Sequence, residues 1–162
     1  MIYRRCGFSF LIEISRPKSR GVIELASKDP FEHPIIHAGY FTHPYDINVL
    51  IEGVKFCNKI METKAFKKLG AKLWSGRKFP GCEKHKMWSD KYIECIVRQL
   101  TQTVWHFSGT AKMGPKSDET AVVDPRLRVY GIKGLRVIDA SVMPTITSGN
   151  INAPVIMIGE KV

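Results

Sequence analysis

No apolar stretch in this sequence approaches the roughly 20 residues that a membrane-spanning helix requires, so no stable membrane insertion is expected. No two of the 13 glycines flank a single residue. The Gly-x-Gly-x-x-Gly turn that brings backbone against a dinucleotide's pyrophosphate is therefore absent. Internal repeats and low-complexity segments are lacking too. Acids are in short supply, 15 against 25 lysines and arginines, for a net charge of +10. Much of that surplus lies between Lys55 and Lys91, without the interleaved aromatics of a nucleic-acid surface. Charge runs are usually solvated faces, so no nucleic-acid partner is expected.

Cysteines are few: Cys6, Cys57, Cys82 and Cys95. Cys57 falls on the apolar face of an expected helix and reads as a buried thiol. Cys82 and Cys95 could pair as a disulfide, which would imply an oxidising compartment. The rival is zinc held by Cys82, His85 and Cys95. No fourth ligand is spaced to complete that site, so no metal is assigned.

What is present suits a soluble globular domain: 162 residues, 44% hydrophobic and 25% charged. The opening, Met1 to Ser15, mimics a signal peptide with Arg4 and Arg5 before an apolar run. Glu13 interrupts it and no small-residue cleavage site follows, so a strand is the better reading and no targeting signal is visible. Phe8, Phe10, Ile12 and Ile14 alternate as a strand does, and Ile23 and Leu25 resume the alternation beyond a turn-rich connector. The two predict a hairpin. Asp29-Pro30-Phe31-Glu32-His33-Pro34 reads as a loop.

The clearest helix carries Ile47, Leu50, Ile51, Val54, Cys57, Ile60 and Met61 on one stripe, with Pro44 and Asp46 in its first turn. After a basic loop, a second helix capped by Ser89 or Asp90 turns Ile93, Ile96, Val97 and Leu100 inward. From Trp105 onward, glycines and prolines break the chain into short strands and tight loops. The last run, Ile151 to Ile158, is apolar on every side and is expected to be buried between surfaces.

Chemistry concentrates in Trp105-His106-Phe107-Ser108-Gly109-Thr110, then in Leu135-Arg136-Val137-Ile138-Asp139-Ala140-Ser141, and then in Ser148-Gly149-Asn150-Ile151-Asn152-Ala153-Pro154. A histidine in a glycine-flanked loop suits a general base, because imidazole titrates near neutrality. In this order the segments resemble the C-terminal signature of the glucose–methanol–choline (GMC) flavin oxidoreductases, especially the insect glucose-dehydrogenase-like branch. The resemblance covers residues 10–162 and leaves residues 1–9 unmatched, as an altered or truncated start.

The resemblance implies an α+β fold, a mostly antiparallel sheet with helices on one face, in which residues 145–162 return toward a missing FAD domain. It implies oxidation of a CH–OH group on an alcohol or sugar, with quinone, a dye-like compound or oxygen as electron acceptor. His106 matches the catalytic histidine that accepts the hydroxyl proton while hydride passes to flavin N5. Asn150 matches the residue that hydrogen-bonds the substrate oxygen. Asp139 and Ala140 match the segment running past the ribityl and pyrophosphate region of FAD, and Trp105, Ile151 and Asn152 match positions near the flavin ring. For Asp139 the plain alternative is a strand-end carboxylate satisfied by backbone N–H groups.

Residues 150–154 read as a helix N-terminus whose positive end faces the ring. Without the glycine turn, the chain alone is expected to hold no stoichiometric flavin and to be inactive, one wall of a cavity. The parent is expected to be secreted, as the insect-like branch often is. A noncatalytic relic that keeps the fold without turnover is the alternative; a glycine-rich strand–turn–helix encoded upstream would decide against it.

Overall fold

The computed structural model describes residues 7–162 and divides them into two compact units. The first comprises residues 7–14 with His43–Thr101. Its backbone is the helix α1, Pro44–Met61. His43 stands at the N-cap and its Nδ1 accepts from the Tyr45 N–H at 3.1 Å, Pro44 fills the first helical position, and Asp46 is buried in the first turn. Each suits a helix start: the cap satisfies an orphan donor, proline loses nothing there, and a carboxylate complements the dipole. The stripe read from sequence buries Ile47, Leu50, Ile51 and Met61, while Val54, Cys57 and Ile60 are half-buried.

A short helix α2, Lys64–Lys68, follows, and then α3, Asp90–Leu100, which packs on α1. Ser89 is the cap of α3, its hydroxyl accepting from Tyr92 N–H. Tyr92 and Ile93 are the buried residues of α3, and Leu100, expected to face inward, is 55% exposed. Leu100 is the last residue of the helix. The Tyr92 hydroxyl accepts from Phe79 N–H at 2.9 Å and so ties the preceding loop down. Lys55 joins the helices electrostatically, reaching Asp90 at 2.8 Å and Glu52 at 3.0 Å. Its ammonium is held above the usual lysine pKa by the Asp90 hydrogen bond and then by Glu52.

Cys82 and Cys95 form a disulfide, and the Gln99 amide donates to the buried Cys82 sulfur at 3.4 Å. Sulfurs bonded to each other cannot serve as thiolate ligands, so the zinc alternative lapses. Cys57 is free and half-buried rather than fully enclosed.

Residues 8–14 do not form the expected strand. Alternation survives, with Ile12 and Ile14 half-buried between exposed neighbours, but the segment lies on helices instead of in a ladder. Phe8 and Phe10 meet Phe66 of α2 at ring separations of 5.6 and 6.3 Å. Ile12 sits over Gly53 of α1, where a Cβ would come within 2.6 Å of its methyl group. Glycine inside a helix is unfavourable by about 1 kcal/mol relative to alanine, and here it makes room for that approach. The expected hairpin is accordingly absent. The strand expected within Met1 to Ser15 also took in residues 1–6, which lie outside the described residues.

The second unit comprises Ser15–Thr42 with Gln102–Val162. Its regular sheet is an antiparallel ribbon of β1, Val22–Glu24, and β2, Ile35–His37, with Ile23 opposite Ile36. Ile23 thus pairs forward rather than back toward residue 14. Gly21 and Gly39 close the base of the ribbon: a Cβ on Gly21 would strike the His37 carbonyl, and one on Gly39 the Arg20 carbonyl. All six ladder residues are exposed.

Residues 102–148 are loops joined by single bridges, Met113 to Val123, Val123 to Val129 and Arg128 to Arg136. They wrap a small core of Val123, Leu127 and Val142, against which Met113, Val129, Val137 and Ile158 pack. A 3-10 turn at Ala140–Val142 and the helix α4, Asn152–Lys161, complete the unit. The class is α+β, as expected. α4 is not buried between surfaces in this chain: Ile156 and Met157 are 57% and 59% exposed. Ile158 packs on the core, so α4 is covered on one side and leaves an apolar face open on the other. Among the described residues no helix is long and apolar enough to cross a membrane.

Candidate functional site

Two arms of the second unit converge. The first begins at Trp105, whose backbone sits in the left-handed region at φ 60° with its N–H donated to Thr103 Oγ1 at 2.9 Å. A tryptophan gains nothing from that conformation, which marks the position as strained. The indole is 77% exposed. His106 follows, partly exposed. Gly109, at φ 90°, then turns the chain so that Ala111 N–H reaches the Ser141 carbonyl and Met113 N–H the Val142 carbonyl, at 3.0 and 2.9 Å. These two bonds fasten the histidine arm to the buried Val142.

The second arm runs from Thr147 through Gly149, at φ 151°, into α4. Ile151 is buried and anchors the helix start. Its side chain supplies no cap, the first intrahelical bond runs from Val155 N–H to the Ile151 carbonyl, and Pro154 has no N–H. The positive end of α4 is therefore uncapped.

Where the arms meet, the Asn150 side-chain N–H donates to His106 Nε2 at 2.9 Å, across 44 residues of sequence. With Nε2 accepting, the neutral ring carries its proton on Nδ1. Both side chains are reachable from solvent. The arrangement offers a basic nitrogen and an amide donor within one hydroxyl's reach.

The remaining sequence-derived residues divide. Trp105 and Ile151 adjoin the pair in the chain, and Asn152 is exposed as the first residue of α4. Asp139 caps the 3-10 turn, its Oδ1 accepting from Ser141 N–H at 2.7 Å, with half-buried Ala140 next to it. One capping bond of this kind is compatible with either reading of Asp139. No hydrogen bond among the described residues links Asp139 or Ala140 to the His106–Asn150 pair.

Sequence reasoning passed over three features. Thr147 carries a buried hydroxyl with no hydrogen-bond partner among the described residues, three positions from Asn150. Lys112, next to the histidine arm, pairs with Asp118 at 2.7 Å and donates to Thr120. The Lys112 bond, with help from Thr120, lowers the Asp118 pKa to about 2. Asp124 gathers the Arg128 side chain and the N–H groups of Arg126 and Arg128, and its pKa falls below the usual value, chiefly through Arg128. The Asp124-Pro125 step with Arg128 four residues on was a usable signal for that turn. Nothing in sequence marks Thr147.

Comparison with known proteins follows the same segments. A family model described as GMC oxidoreductase matches residues 17–159. Glucose dehydrogenase [FAD, quinone] of Drosophila melanogaster is 48% identical over 148 residues, which covers 91% of this chain and 24% of that protein. Oxygen-dependent choline dehydrogenase of Sinorhizobium medicae is 41% identical over 155 residues, covering 96% of this chain and 27% of the other. The solved structure of a formate oxidase from Aspergillus oryzae superposes with a TM-score of 0.76 at 36% identity, over 91% of this chain and 25% of that one. The chain spans about a quarter of the length of the curated relatives it matches.

Proposed function

Because the chain belongs to the GMC oxidoreductase family, we propose that it is the substrate-side part of an FAD-dependent, glucose dehydrogenase-like oxidoreductase acting on CH–OH groups of an alcohol or sugar. The 2.9 Å approach of Asn150 to His106 carries this reading. In it, residues 10–162 are the C-terminal domain, and residues 145–162 return toward the cofactor-binding part. The exposed β1–β2 ribbon joins a larger antiparallel sheet with helices on one face, and the bare apolar faces of α4 are covered.

The residues present fit a flavin. The solvent-facing indole of Trp105, carried on a strained backbone, offers an aromatic wall, and the uncapped N-terminus of α4 at Asn152 offers positive potential to an electron-rich ring. Asp139 and Ala140 would border the ribityl side. When bound, FAD supplies the hydride acceptor. His106 Nε2 takes the proton of the substrate hydroxyl, and the Asn150 amide donates to the same oxygen as it gains negative charge. Electrons leave to a quinone, a dye-like compound or oxygen, the first and last being the acceptors that the relatives' names print.

The test uses this chain in a protein that also supplies the flavin-binding part. Substrate-dependent loss of visible flavin absorbance is followed without oxygen. His106→Ala is expected to slow it by about 10²–10⁴-fold while flavin content stays constant. An unchanged rate would refute the assignment.

A further inference from the structure

The first unit carries a second surface that the proposed chemistry does not use. From Lys64 to Lys78 the sequence places six lysines and arginines and no acid. Lys64, Lys67, Lys68 and Lys72 are exposed, and none enters an ion pair among the described residues. Beneath them is a cavity of about 380 Å³ between the end of α1, α2 and the loop after it. Its walls combine buried Met61 and half-buried Ala71 and Leu73 with Gly70, two ammonium groups, Lys67 and Lys72, and one carboxylate, Glu62. Two large apolar side chains within this stretch are exposed, Leu69 at 81% and Trp74 at 58%, the Trp74 indole N–H donating to the Arg77 carbonyl.

We propose that this face docks on an anionic lipid surface, Lys67 and Lys72 meeting acidic head groups while Leu69 and Trp74 enter the head-group boundary. Charge complementarity argues for an anionic partner. The exposed leucine and tryptophan, and an apolar-walled cavity beside ammonium groups, contribute nothing toward a purely ionic polymer but suit a boundary that is wet on one side and oily on the other. The attachment is peripheral, in keeping with the absence of a spanning helix among the described residues.

The chain is sedimented with vesicles of phosphatidylcholine alone and of phosphatidylcholine mixed with phosphatidylserine. Binding is expected on the mixed vesicles only and should weaken as salt is raised. Lys67→Ser with Lys72→Ser should reduce it about 30-fold, the factor that two lysines near an anionic surface contribute. The charge-matched control Lys116→Ser with Lys133→Ser, in the other unit, should leave it unchanged. Leu69→Ser, at a site with no packing role, should weaken vesicle binding several-fold and leave heparin binding untouched. Equal binding to both vesicle types, or equal loss in the control pair, would overturn the proposal. So would a Leu69→Ser variant that sediments like the wild type, which would make the face a reader of soluble polyanions.

Discussion

The amide of Asn150 occupies the Nε2 lone pair of His106, the same lone pair that proton abstraction requires. In the proposed reaction a substrate hydroxyl comes between the two, its proton passing to the ring nitrogen while its oxygen accepts a hydrogen bond from the amide N–H. The resting pair is thus self-capped, and exchange of one hydrogen bond for two is what admits substrate. The bond also fixes a tautomer. In the isolated chain, ¹⁵N spectra of His106 should show the proton on Nδ1, and Asn150→Ala should shift the population toward the Nε2–H form. In the flavin-loaded protein the same variant should lose about 10²–10³-fold in turnover, as removal of one preorganised donor to a developing oxyanion does. A tautomer that ignores Asn150→Ala would contradict the geometry.

Gly53 and Ile12 form a second testable pair. Alanine in a helix interior is worth about 1 kcal/mol over glycine, yet at this position its methyl would meet Ile12 at 2.6 Å. Gly53→Ala alone should therefore be destabilising. Combined with Ile12→Ala it should become neutral or stabilising relative to Ile12→Ala. Denaturant midpoints of the four proteins measure the coupling. Simple additivity would mean residues 8–14 do not rest on α1.

The Cys82–Cys95 link closes a loop with a sequence separation of 13. A cross-link over a loop of that size contributes about 3 kcal/mol by restricting the unfolded chain. Cys82→Ser with Cys95→Ser should lower stability by about that amount and loosen residues 79–82, where Tyr92 and Gln99 hold the loop. Alkylation of the denatured protein should leave both cysteines unlabelled until reductant is added. Labelling without reductant would show the bridge absent.

Acid should act through Asp118 and Asp124. Both bind protons more weakly folded than unfolded, since Lys112 and Arg128 favour their charged forms. Their contribution is present above the ordinary carboxylate value of 3.8 and is lost as pH falls; for Asp118 the loss runs to about 2. Stability against pH should decline through that window, and Asp118→Asn should flatten part of the decline. An unaltered acid limb would show that Lys112 does not hold the carboxylate in solution.

The two packed helices were legible because each announces itself locally. α1 has a continuous apolar stripe with Pro44 and Asp46 at its start, and α3 has Ser89 as a cap. The strand reading of residues 8–14 failed for a different reason. Alternation records which side of an extended chain is covered, but says nothing of whether the cover is a neighbouring strand or, as here, Phe66 and Gly53 on helices. β2 was missed because three residues after Pro34 are too few to show any period. In the site, His106 and Asn150 were singled out through a family pattern, since a separation of 44 positions leaves no local signal of contact. The orphaned hydroxyl of Thr147 arises from tertiary packing, and the Lys112–Asp118 pair from a turn whose closure no single residue type announces.

At the base of the β1–β2 ribbon, two positions without side chains let backbone touch backbone, and that fastening lies below the residues that pair. Residues 25–34 are consequently an excursion whose length is decoupled from strand register. Homologues can be expected to vary most freely there, and a reporter peptide spliced between Asp29 and His33 would ride outside the fold without disturbing either arm of the histidine–asparagine pair.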